Sequence, residues 1–395
     1  FYFSHSSITF CSAQYFCAML QKIVSLFFSA LFLTVSAQQI KYDEWKNLTT
    51  SGKLPAQCKI QKSNNNLDLV QYHGKYYLAF RTAPVHFPSG KTVMYVVSST
   101  DLEKWDYETE INLHCDLREP KFAVYHDTLN LYCFTGAKSW FKFDPREILL
   151  TRTTGNTQWT KPSSVHLDGF VPWRIRERSD TLYLSAYYGK HLYGNNHQSN
   201  LRLFQSTDAL KWFPISEKPQ VDIFSAEEGE FIFDKAGNLF ATVRLEGSGA
   251  LVCSADKTSL YNWKQKRTKT KYDSALLFSH DDDIYLVSRR NLDGDVDKVK
   301  NRKSEKQGRG RNLIRYSITR KVTSLFKLNK ENLTLSLVTD FPSTGDNAFP
   351  GIAQLDNNTY LLMNYSSDID GKKTNWIRGQ FGKTYIYWTK LYVNP

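Results

Sequence analysis

The sequence has few of the features that mark zinc-binding, helical or membrane-spanning proteins. It contains only 3 Met and 6 Cys, with no Cys-x-x-Cys pair and no cluster of Cys and His, so the spacing of a zinc site is missing. Apolar residues show little helical periodicity. After the first 37 residues, no apolar run approaches the ~20 residues that cross a bilayer as a helix. We therefore expect no metal, no cofactor and no stable membrane insertion.

The one long apolar run lies near the N-terminus. Lys22 precedes an apolar segment, 23–35, and the segment leads to a small-residue sequence that ends at Ala37. This order is typical of a secretory signal peptide, whereas a membrane anchor, the alternative, requires a longer run. We expect residues 1–37 to be upstream residues and signal peptide, and residues 38–395 to be one secreted domain.

Aromatic residues are abundant, with 23 Tyr, 25 Phe and 9 Trp, and they recur in strand-like segments. Six such segments align on one apolar residue each, at spacings of 53, 53, 56, 46 and 75 residues. Self-similarity at this period, built from strands, is typical of a β-propeller. The pattern predicts an all-β fold, a six-bladed β-propeller of four-stranded antiparallel blades. The aligned residues are Leu78, Leu131, Leu184, Phe240, Leu286 and Leu361.

A second marker repeats in phase with the first. The segment 99–105, Ser-Thr-Asp-Leu-Glu-Lys-Trp, recurs at 206–212 as Ser-Thr-Asp-Ala-Leu-Lys-Trp. Together with Trp159 and Trp263, the closing tryptophans lie 54, 53 and 51 residues apart. Two independent periods therefore agree on the same blade length.

Four cysteines follow the expected signal peptide, an even number that export to an oxidising compartment allows to pair. Cys115 and Cys133 fall on neighbouring strands of one predicted blade, which makes them the favoured disulfide; four buried free thiols are the alternative. Four Asn-x-Ser/Thr sites for glycosylation are present, at Asn47, Asn332, Asn357 and Asn364.

The formal net charge is +12, with dense basic runs at 264–271 and 298–311. The second run lies in the one oversized spacing between repeats, which predicts a basic insertion near 293–318. Its glycines and lack of apolar periodicity favour a solvated loop. The electrostatic field of these positive charges attracts acidic glycans. We expect no nucleic-acid partner, because the propeller is predicted to be secreted.

Polar residues precede each repeat at the start of the predicted innermost strand. In a propeller these positions converge over one mouth of the central channel. They are candidates for a shared pocket: Asn65, Asn66, Arg118, Glu119, Trp173, Arg174, Glu228, Glu230, Asp273, and Asp346 through Phe349.

Arginines recur at the end of the second strand of several repeats, at Arg81, Arg244, Arg289 and Arg290. The guanidinium fork matches a carboxylate, so arginines gathered with Glu119 suit an acidic sugar. The alternative is that each arginine pairs with a neighbouring Asp or Glu and fastens the blades together. For Trp173 and Arg174 the choice likewise lies between sugar contact and packing between blades.

The Ser-x-Asp-x-x-x-Trp turns resemble the Asp box of the sialidase superfamily, whose members are six-bladed propellers. The stretch 228–244 is similar to the sialidase segment in which a Glu precedes a hairpin and an Arg ends the second strand. By that resemblance Glu228 assists the nucleophile, and Arg244 with Arg289 or Arg290 binds the substrate carboxylate. The resemblance covers residues from about 60 to 390.

Three positions depart from the sialidase pattern. Sialidases carry the first of their three substrate-binding arginines in the first blade. That arginine is missing here, and Arg118 is a candidate to replace it. His86 stands where the resemblance expects the acid/base Asp, and Phe349 stands where it expects the nucleophilic Tyr. His86 as general acid, with Asp346 or Glu119 as the carboxylate partner of Glu228, would restore a catalytic set.

The sequence therefore predicts a monomeric, secreted, glycoside hydrolase-like propeller that acts on or binds a polar or acidic glycan. Its expected catalytic candidates are Glu228, Glu119, Asp346 and His86. The alternative is a lectin-like propeller that binds a carbohydrate or a protein without turnover, and Phe349 is the residue that favours it.

Overall fold

The computed structural model describes residues 40–138, 143–156, 158–189, 199–223, 225–295 and 305–393. The predicted signal peptide and upstream residues lie outside these ranges. One unit, Tyr42–Tyr392, holds the six blades; of a second, small unit only residues 40, 41 and 393 are described. Of the described helices, neither is long and apolar enough to span a membrane.

Five blades are regular four-stranded antiparallel sheets of consecutive strands. Blade 1 holds β3 (Ser63–Tyr72), β4 (Lys75–Ala83), β5 (Val93–Ser99) and β6 (Asp106–Ile111). Blade 2 holds β7 (Asp116–Tyr125), β8 (Thr128–Gly136), β9 (Ile148–Thr153) and β10 (Ser163–Ser164). Blade 3 holds β11 (Phe170–Arg178), β12 (Thr181–Tyr188), β13 (Leu201–Ser206) and β14 (Phe213–Pro214). Blade 4 holds β15 (Ala226–Phe233), β16 (Leu239–Leu245), β17 (Ala250–Ala255) and β18 (Lys264–Thr268). Blade 5 holds β19 (Asp273–His280), β20 (Asp283–Asn291), β21 (Lys321–Asn329) and β22 (Thr334–Phe341).

Blade 6 closes the ring with strands from both ends of the chain. It contains β23 (Asn347–Gln354), β24 (Thr359–Ser366) and β25 (Tyr385–Val393), and β2 (Lys46–Asn47) pairs with β25. The N-terminal strand β1 spans Ile40–Tyr42. The innermost strands contact one another in order around the channel, from β3 through β7, β11, β15 and β19 to β23 and back to β3. The six-bladed propeller predicted from the repeats is confirmed.

The two sequence repeats correspond to fixed places in every blade. The aligned apolar residues all lie on the second strand, which is buried because it packs between neighbouring strands and blades; all seven residues of β16 are buried. In the Ser-x-Asp turns, Asp101 Oδ1 accepts hydrogen bonds from two backbone amides at 2.8 and 2.9 Å. Asp208 does the same at 2.8 and 2.7 Å. Trp212 packs edge-on to Tyr132 of the preceding blade at 5.7 Å.

The expectation of a solvated loop in the basic insertion is wrong. Residues 305–318 of the basic insertion form a helix, α1 (Glu305–Ile318), rather than a solvated loop. Its Asn312 and Tyr316 side chains lie one helical turn apart and are buried, but Asn312 is polar, so the segment shows no apolar periodicity. A second helix, α2 (Trp376–Phe381), precedes β25.

The predicted disulfide is also absent, since Cys58, Cys115, Cys133 and Cys253 are buried free thiols. The β7–β8 register pairs Asp116 with Gly136, so Cys115 lies beyond that pair, several residues along the strand from the position of Cys133. At about 3.3 Å for each residue, the two sulfurs cannot bond.

Candidate functional site

Every innermost strand carries a β-bulge near its start, at the same mouth of the channel. The pairing register shifts at this point in all six blades. In five of the blades a non-glycine residue at the bulge has a φ between 44° and 52°, and Ala348, beside one of these residues, has a φ of 94°. Such backbone costs roughly 1–3 kcal/mol for each residue and concentrates at functional sites. The five residues are Asn66, Glu119, Glu228, Ser274 and Phe349.

A cavity of about 300 Å³ opens at this mouth. Its charged lining consists of three glutamates, three arginines and one histidine: Glu119, Glu227, Glu228, Arg118, Arg244, Arg289 and His86. Its aromatic lining comes from five different parts of the chain: Phe87, Phe143, Tyr187, Phe349 and Trp376. Asn66, Pro88 and Gln380 complete the wall. The size and the mixture of polar and aromatic groups suit a small polar ligand such as one sugar unit.

Eight of the predicted pocket residues, Asn66 among them, line this cavity, and Asp346 lies directly behind His86. Four others occupy structural positions elsewhere, as the alternative interpretation of the arginines allowed. Trp173 is buried against Phe349, with ring centroids 5.3 Å apart. Arg174 bridges Glu230 and Asp68 within the channel. These contacts explain why neither side chain reaches the cavity.

Arg81 and Arg290 are the other two predicted residues outside the cavity. Arg81 is fully buried and donates to Asp116 Oδ1 at 2.8 Å and to the backbone oxygen of Phe87 at 3.1 Å. Arg290 pairs with Asp340, on the outer strand of its own blade. Adjacent arginines on a strand point to opposite faces, so only Arg289 of that pair faces the channel.

Arg118 shares a carboxylate with Arg81. Its Nε donates to Asp116 Oδ2, and its Nη2 donates to the backbone oxygen of His86 at 2.6 Å. The two guanidinium groups hold the pKa of Asp116 below its ordinary value, although burial acts in the opposite direction. Asp116 thereby fixes Arg118 at the edge of the cavity.

Arg244 is surrounded by carboxylates. It donates to Glu228 Oε1 and to Glu246 Oε2, and its Nε lies 3.5 Å from Asp273 Oδ1 and 3.9 Å from Glu227 Oε2. These charges raise its pKa further even though burial opposes the charged form. Its guanidinium group is thus already engaged by the protein itself.

Arg289 is held from the neighbouring blade. Its Nε and Nη2 donate to the backbone oxygen of Asn347 at 2.8 and 2.6 Å, and Nη2 lies 3.4 Å from the Tyr365 hydroxyl. It lies 3.9 Å from both Asp273 and Asp346. All three arginines of the cavity therefore have partners within the chain.

Glu119 is buried, and one of its carboxyl oxygens has no hydrogen-bond donor among the described residues. Asn66 Nδ2 donates to Oε1 at 2.9 Å, and in the described part of the chain no hydrogen-bond donor contacts Oε2. Burial raises the pKa of Glu119 to about 7; Lys121 opposes this shift and Glu228 adds to it. Near neutral pH Glu119 is thus able to carry a proton toward the cavity.

Glu227 and Glu228 differ in their surroundings although they are adjacent. Burial raises the pKa of Glu227 to about 8, against the opposing charge of Arg244. Glu228 Oε1 accepts from Arg244, and its Oε2 accepts from the backbone amide of Ser274 at 2.7 Å. Both oxygens of Glu228 are therefore fixed by donors.

His86 and Asp346 form a close pair across the first and sixth blades. His86 Nδ1 lies 2.7 Å from Asp346 Oδ2, and Tyr365 donates to Asp346 Oδ1 at 3.0 Å. Burial lowers the pKa of His86, and the charge of Asp346 only partly offsets this effect. The side chain of Asp346 is fully buried, whereas that of His86 is 13% exposed.

Phe349 forms the floor of the cavity at the position where the resemblance expects a nucleophilic tyrosine. Among the described tyrosines, Tyr187 alone lines the cavity. Tyr365 and Tyr316 are buried, donate to Asp346 and Asp273, and have pKa values raised by burial and by those carboxylates. A buried tyrosine with a raised pKa is a poor nucleophile.

Several cavity residues were missed from the sequence. Phe87, Pro88 and Phe143 lie in connections between strands, where no repeat marks them. Trp376 and Gln380 come from α2, which falls outside the blade pattern. Glu227, in contrast, is next to a predicted residue, and the bulge that turns both toward the cavity cannot be read from alternation alone.

No family model matches the chain, and no curated protein matches it. Solved structures match its fold at low identity. A protein of unknown function from Dyadobacter fermentans has a TM-score of 0.60 at 14% identity and covers 90% of this chain and 99% of its own. Trypanosoma rangeli sialidase in complex with sialic acid has a TM-score of 0.60 at 12% identity, covering 90% of this chain. A mutant of that sialidase displaying trans-sialidase activity has a TM-score of 0.58 at 12% identity, covering 83% of this chain.

The chain spans 59% and 54% of the length of these two trypanosomal structures. At such identity the comparison shows the fold, which is that of a divergent sialidase-like six-bladed propeller. The resemblance first drawn from the Asp-box turns is confirmed at this level.

Proposed function

We propose that the cavity binds one unit of a polar glycan and that the protein hydrolyses the glycosidic bond of that unit. The observation that carries this proposal is Glu119, a residue that lines a cavity of sugar size and whose buried carboxyl group has a pKa of about 7 and one oxygen that no described donor contacts. A general acid that holds its proton near neutral pH is what the departing oxygen of a glycoside requires.

Glu228 supplies the second carboxylate of the proposed site. A glycosidic bond breaks through a transition state with positive charge on the sugar ring, and a fixed carboxylate stabilises that charge. Arg244 and the Ser274 amide hold Glu228 in one orientation. Glu119 and Glu228 are also close enough for the charge of Glu228 to raise the pKa of Glu119.

The sugar need not be acidic. Arg118, Arg244 and Arg289 are each engaged by carboxylates or backbone oxygens of the chain, so a substrate carboxylate has to share these donors. Hydroxyl groups, which accept from arginine and donate to glutamate, fit the same lining without displacing a partner. We therefore propose a hydroxyl-rich pyranoside, with or without a carboxylate.

The proposal places the protein outside the cell, where glycans are exposed. Its support is the signal-like N-terminal sequence and three glycosylation sites that are not buried, at Asn47, Asn332 and Asn357. A glycan-binding propeller without turnover is the second candidate, and Phe349 favours it because it has no hydroxyl at the position where the resemblance expects the tyrosine nucleophile.

The experiment is a screen of the full chain against 4-methylumbelliferyl glycosides of neuraminic acid, glucuronic acid, glucose, galactose, mannose, fucose and N-acetylglucosamine. We expect release of the fluorophore from at least one of them, at a lower rate in Glu119→Gln. No release from any glycoside by the wild-type protein, together with saturable binding on a glycan array, would contradict hydrolysis and favour the glycan-binding candidate.

A further inference from the structure

Helix α1 presents apolar side chains to solvent and polar side chains to the propeller. Ile314 and Ile318 are 68% and 60% exposed, which makes them two of the three most exposed large hydrophobic residues in the described part of the chain. On the opposite side of the helix, Asn312 and Tyr316 are buried. A surface helix ordinarily buries its apolar stripe. The reversed arrangement of α1 is typical of an interaction surface.

The buried side of α1 fixes the helix to the propeller. Asn312 Nδ2 donates to the backbone oxygen of Gly247 in blade 4 at 2.9 Å, and the Tyr316 hydroxyl donates to Asp273 in blade 5. Two blades therefore hold the helix by one side. The outward position of the isoleucines follows from these bonds on the other side.

Two arginines share the exposed side with the isoleucines. Arg311 is exposed and Arg315 is half-buried. Positions 311, 314, 315 and 318 are spaced by three or four residues, which places them along one side of a helix; we call these four residues the outer face of α1. Residues 306–320 contain no Asp or Glu. Like charges four residues apart repel each other, so an anionic partner would stabilise this face.

Exposed side chains continue beyond the end of α1. Leu292 is 40% exposed, and its amide donates to the backbone oxygen of the exposed Arg320 at 3.1 Å. Helix α2 begins beside the same end, because the Trp376 amide donates to the backbone oxygen of Thr319 at 3.1 Å. Trp376 also lines the cavity. This surface therefore lies near the cavity wall.

The mixture of cations and branched apolar side chains selects the chemistry of the partner. An acidic glycan pairs with arginines but offers no apolar layer to isoleucines. The interface of an anionic bilayer offers both groups their preferred surroundings: guanidinium groups reach outward to the phosphates, while the isoleucines enter the boundary of the acyl chains.

We propose that the outer face of α1, together with Leu292 and Arg320, docks the protein on the surface of an anionic lipid bilayer. The helix lies along the interface and does not cross it. Its two isoleucines enter the acyl boundary, and its arginines contact lipid phosphates. This inference does not depend on the proposed hydrolysis.

The test is sedimentation of the full chain with two kinds of vesicle, phosphatidylcholine alone and equal amounts of phosphatidylserine and phosphatidylcholine. We expect binding to the anionic vesicles. Ile314→Ser with Ile318→Ser should weaken that binding by about tenfold or more, because less apolar surface leaves water. Arg311→Gln with Arg315→Gln should weaken it by about fivefold for each arginine.

The matched controls change exposed residues outside the helix. Leu337→Ser with Val338→Ser alters an exposed apolar pair on β22, and Lys257→Gln with Lys264→Gln removes two exposed cations of blade 4. Both should bind as the wild-type protein does. Equal losses in controls and helix variants, or no binding of the wild-type protein to anionic vesicles, would overturn the proposal. So would retention on heparin together with vesicle binding that the isoleucine substitutions leave unchanged, because that result indicates attraction to any polyanion.

A second measurement locates the helix on the vesicle. A polarity-sensitive fluorophore attached at Ile318→Cys should shift its emission to the blue when anionic vesicles are added. The same label at Leu337→Cys should not respond. A shift of equal size at both positions, or no shift at position 318, would contradict docking through α1.

Discussion

The nitrogen Nδ1 of His86 lies 2.7 Å from Oδ2 of Asp346, so residues from the first and last blades of the propeller meet at the mouth of the channel. They are 260 positions apart in the sequence. Closure of the ring by β25 and β2 brings them together. This contact therefore depends on an intact six-bladed fold.

The rate of hydrolysis should fall as the pH rises above neutral. Glu119 acts as an acid only while protonated, so activity should fall as the pH rises through about 7, the pKa of its buried carboxyl. The measurement is kcat/KM against pH, and a plateau that continues well above neutral pH would contradict the role of Glu119.

Removal of Arg244 should destabilise the protein strongly. Arg244→Met leaves Glu228 and Glu246 buried without their guanidinium partner, and a broken buried ion pair costs about 3–5 kcal/mol. Arg290→Met removes a partly exposed pair with Asp340 and should cost about 0–1 kcal/mol. Urea unfolding of both variants gives the comparison; equal losses would show that the Arg244 cluster has no special stabilising role.

The free energy of unfolding should fall as the pH rises from 4.5, the ordinary pKa of a glutamate, to about 8, the raised pKa of Glu227. The folded protein binds a proton there that the unfolded chain has already lost, so each pH unit costs up to about 1.4 kcal/mol. Glu227→Gln keeps the hydrogen-bonding shape and removes this dependence. Unfolding free energies of both proteins across the range provide the check, and identical slopes would argue against a raised pKa for Glu227.

The four described cysteines should be unreactive in the folded protein. Burial raises the pKa of the Cys58 and Cys133 thiols to about 12, so little thiolate forms at neutral pH. Iodoacetamide should label these four residues only after unfolding without a reductant. A mass consistent with a disulfide between Cys115 and Cys133 would contradict the structure.

Glycosylation should follow exposure of the acceptor asparagines when the protein is made in a secretory eukaryotic host. Asn332 and Asn357 are exposed, whereas Asn364 is buried and donates to Thr323 Oγ1 at 3.0 Å. Peptide mass spectrometry after enzymatic deglycosylation should detect modification at the two exposed sites and none at Asn364. A glycan on Asn364 would require a different pairing of β24.

The fold could be predicted from the sequence because the repeat is local and regular. Each blade repeats an apolar second strand such as the one around Leu184. The Asp-box turns repeat with the same period and confirm the length of a blade. The exceptions are informative. Helix α1 was missed because its anchors, Asn312 and Tyr316, are polar or aromatic residues in a segment rich in Arg and Gly.

The site could be predicted only in part. Positions at the start of the innermost strands identified Glu119, Glu228 and Arg118, because every such start faces the channel mouth. The sequence does not reveal that Arg81 forms an ion pair with Asp116, because the two residues belong to different blades. The sequence also does not reveal that Asp346 pairs with His86 rather than with Glu228, because Asp346 and His86 meet only when the ring of blades closes.

The most direct test of the central claim, that Glu119 is the general acid, is a leaving-group series. The rates are kcat/KM for aryl glycosides of the sugar found in the screen, with leaving groups ranging from dinitrophenol to phenol. Glu119→Gln should match the wild-type protein most closely for dinitrophenol, which leaves without a proton, and fall increasingly behind as the phenol becomes more basic. A rate loss of the same size for every leaving group would contradict proton donation by Glu119.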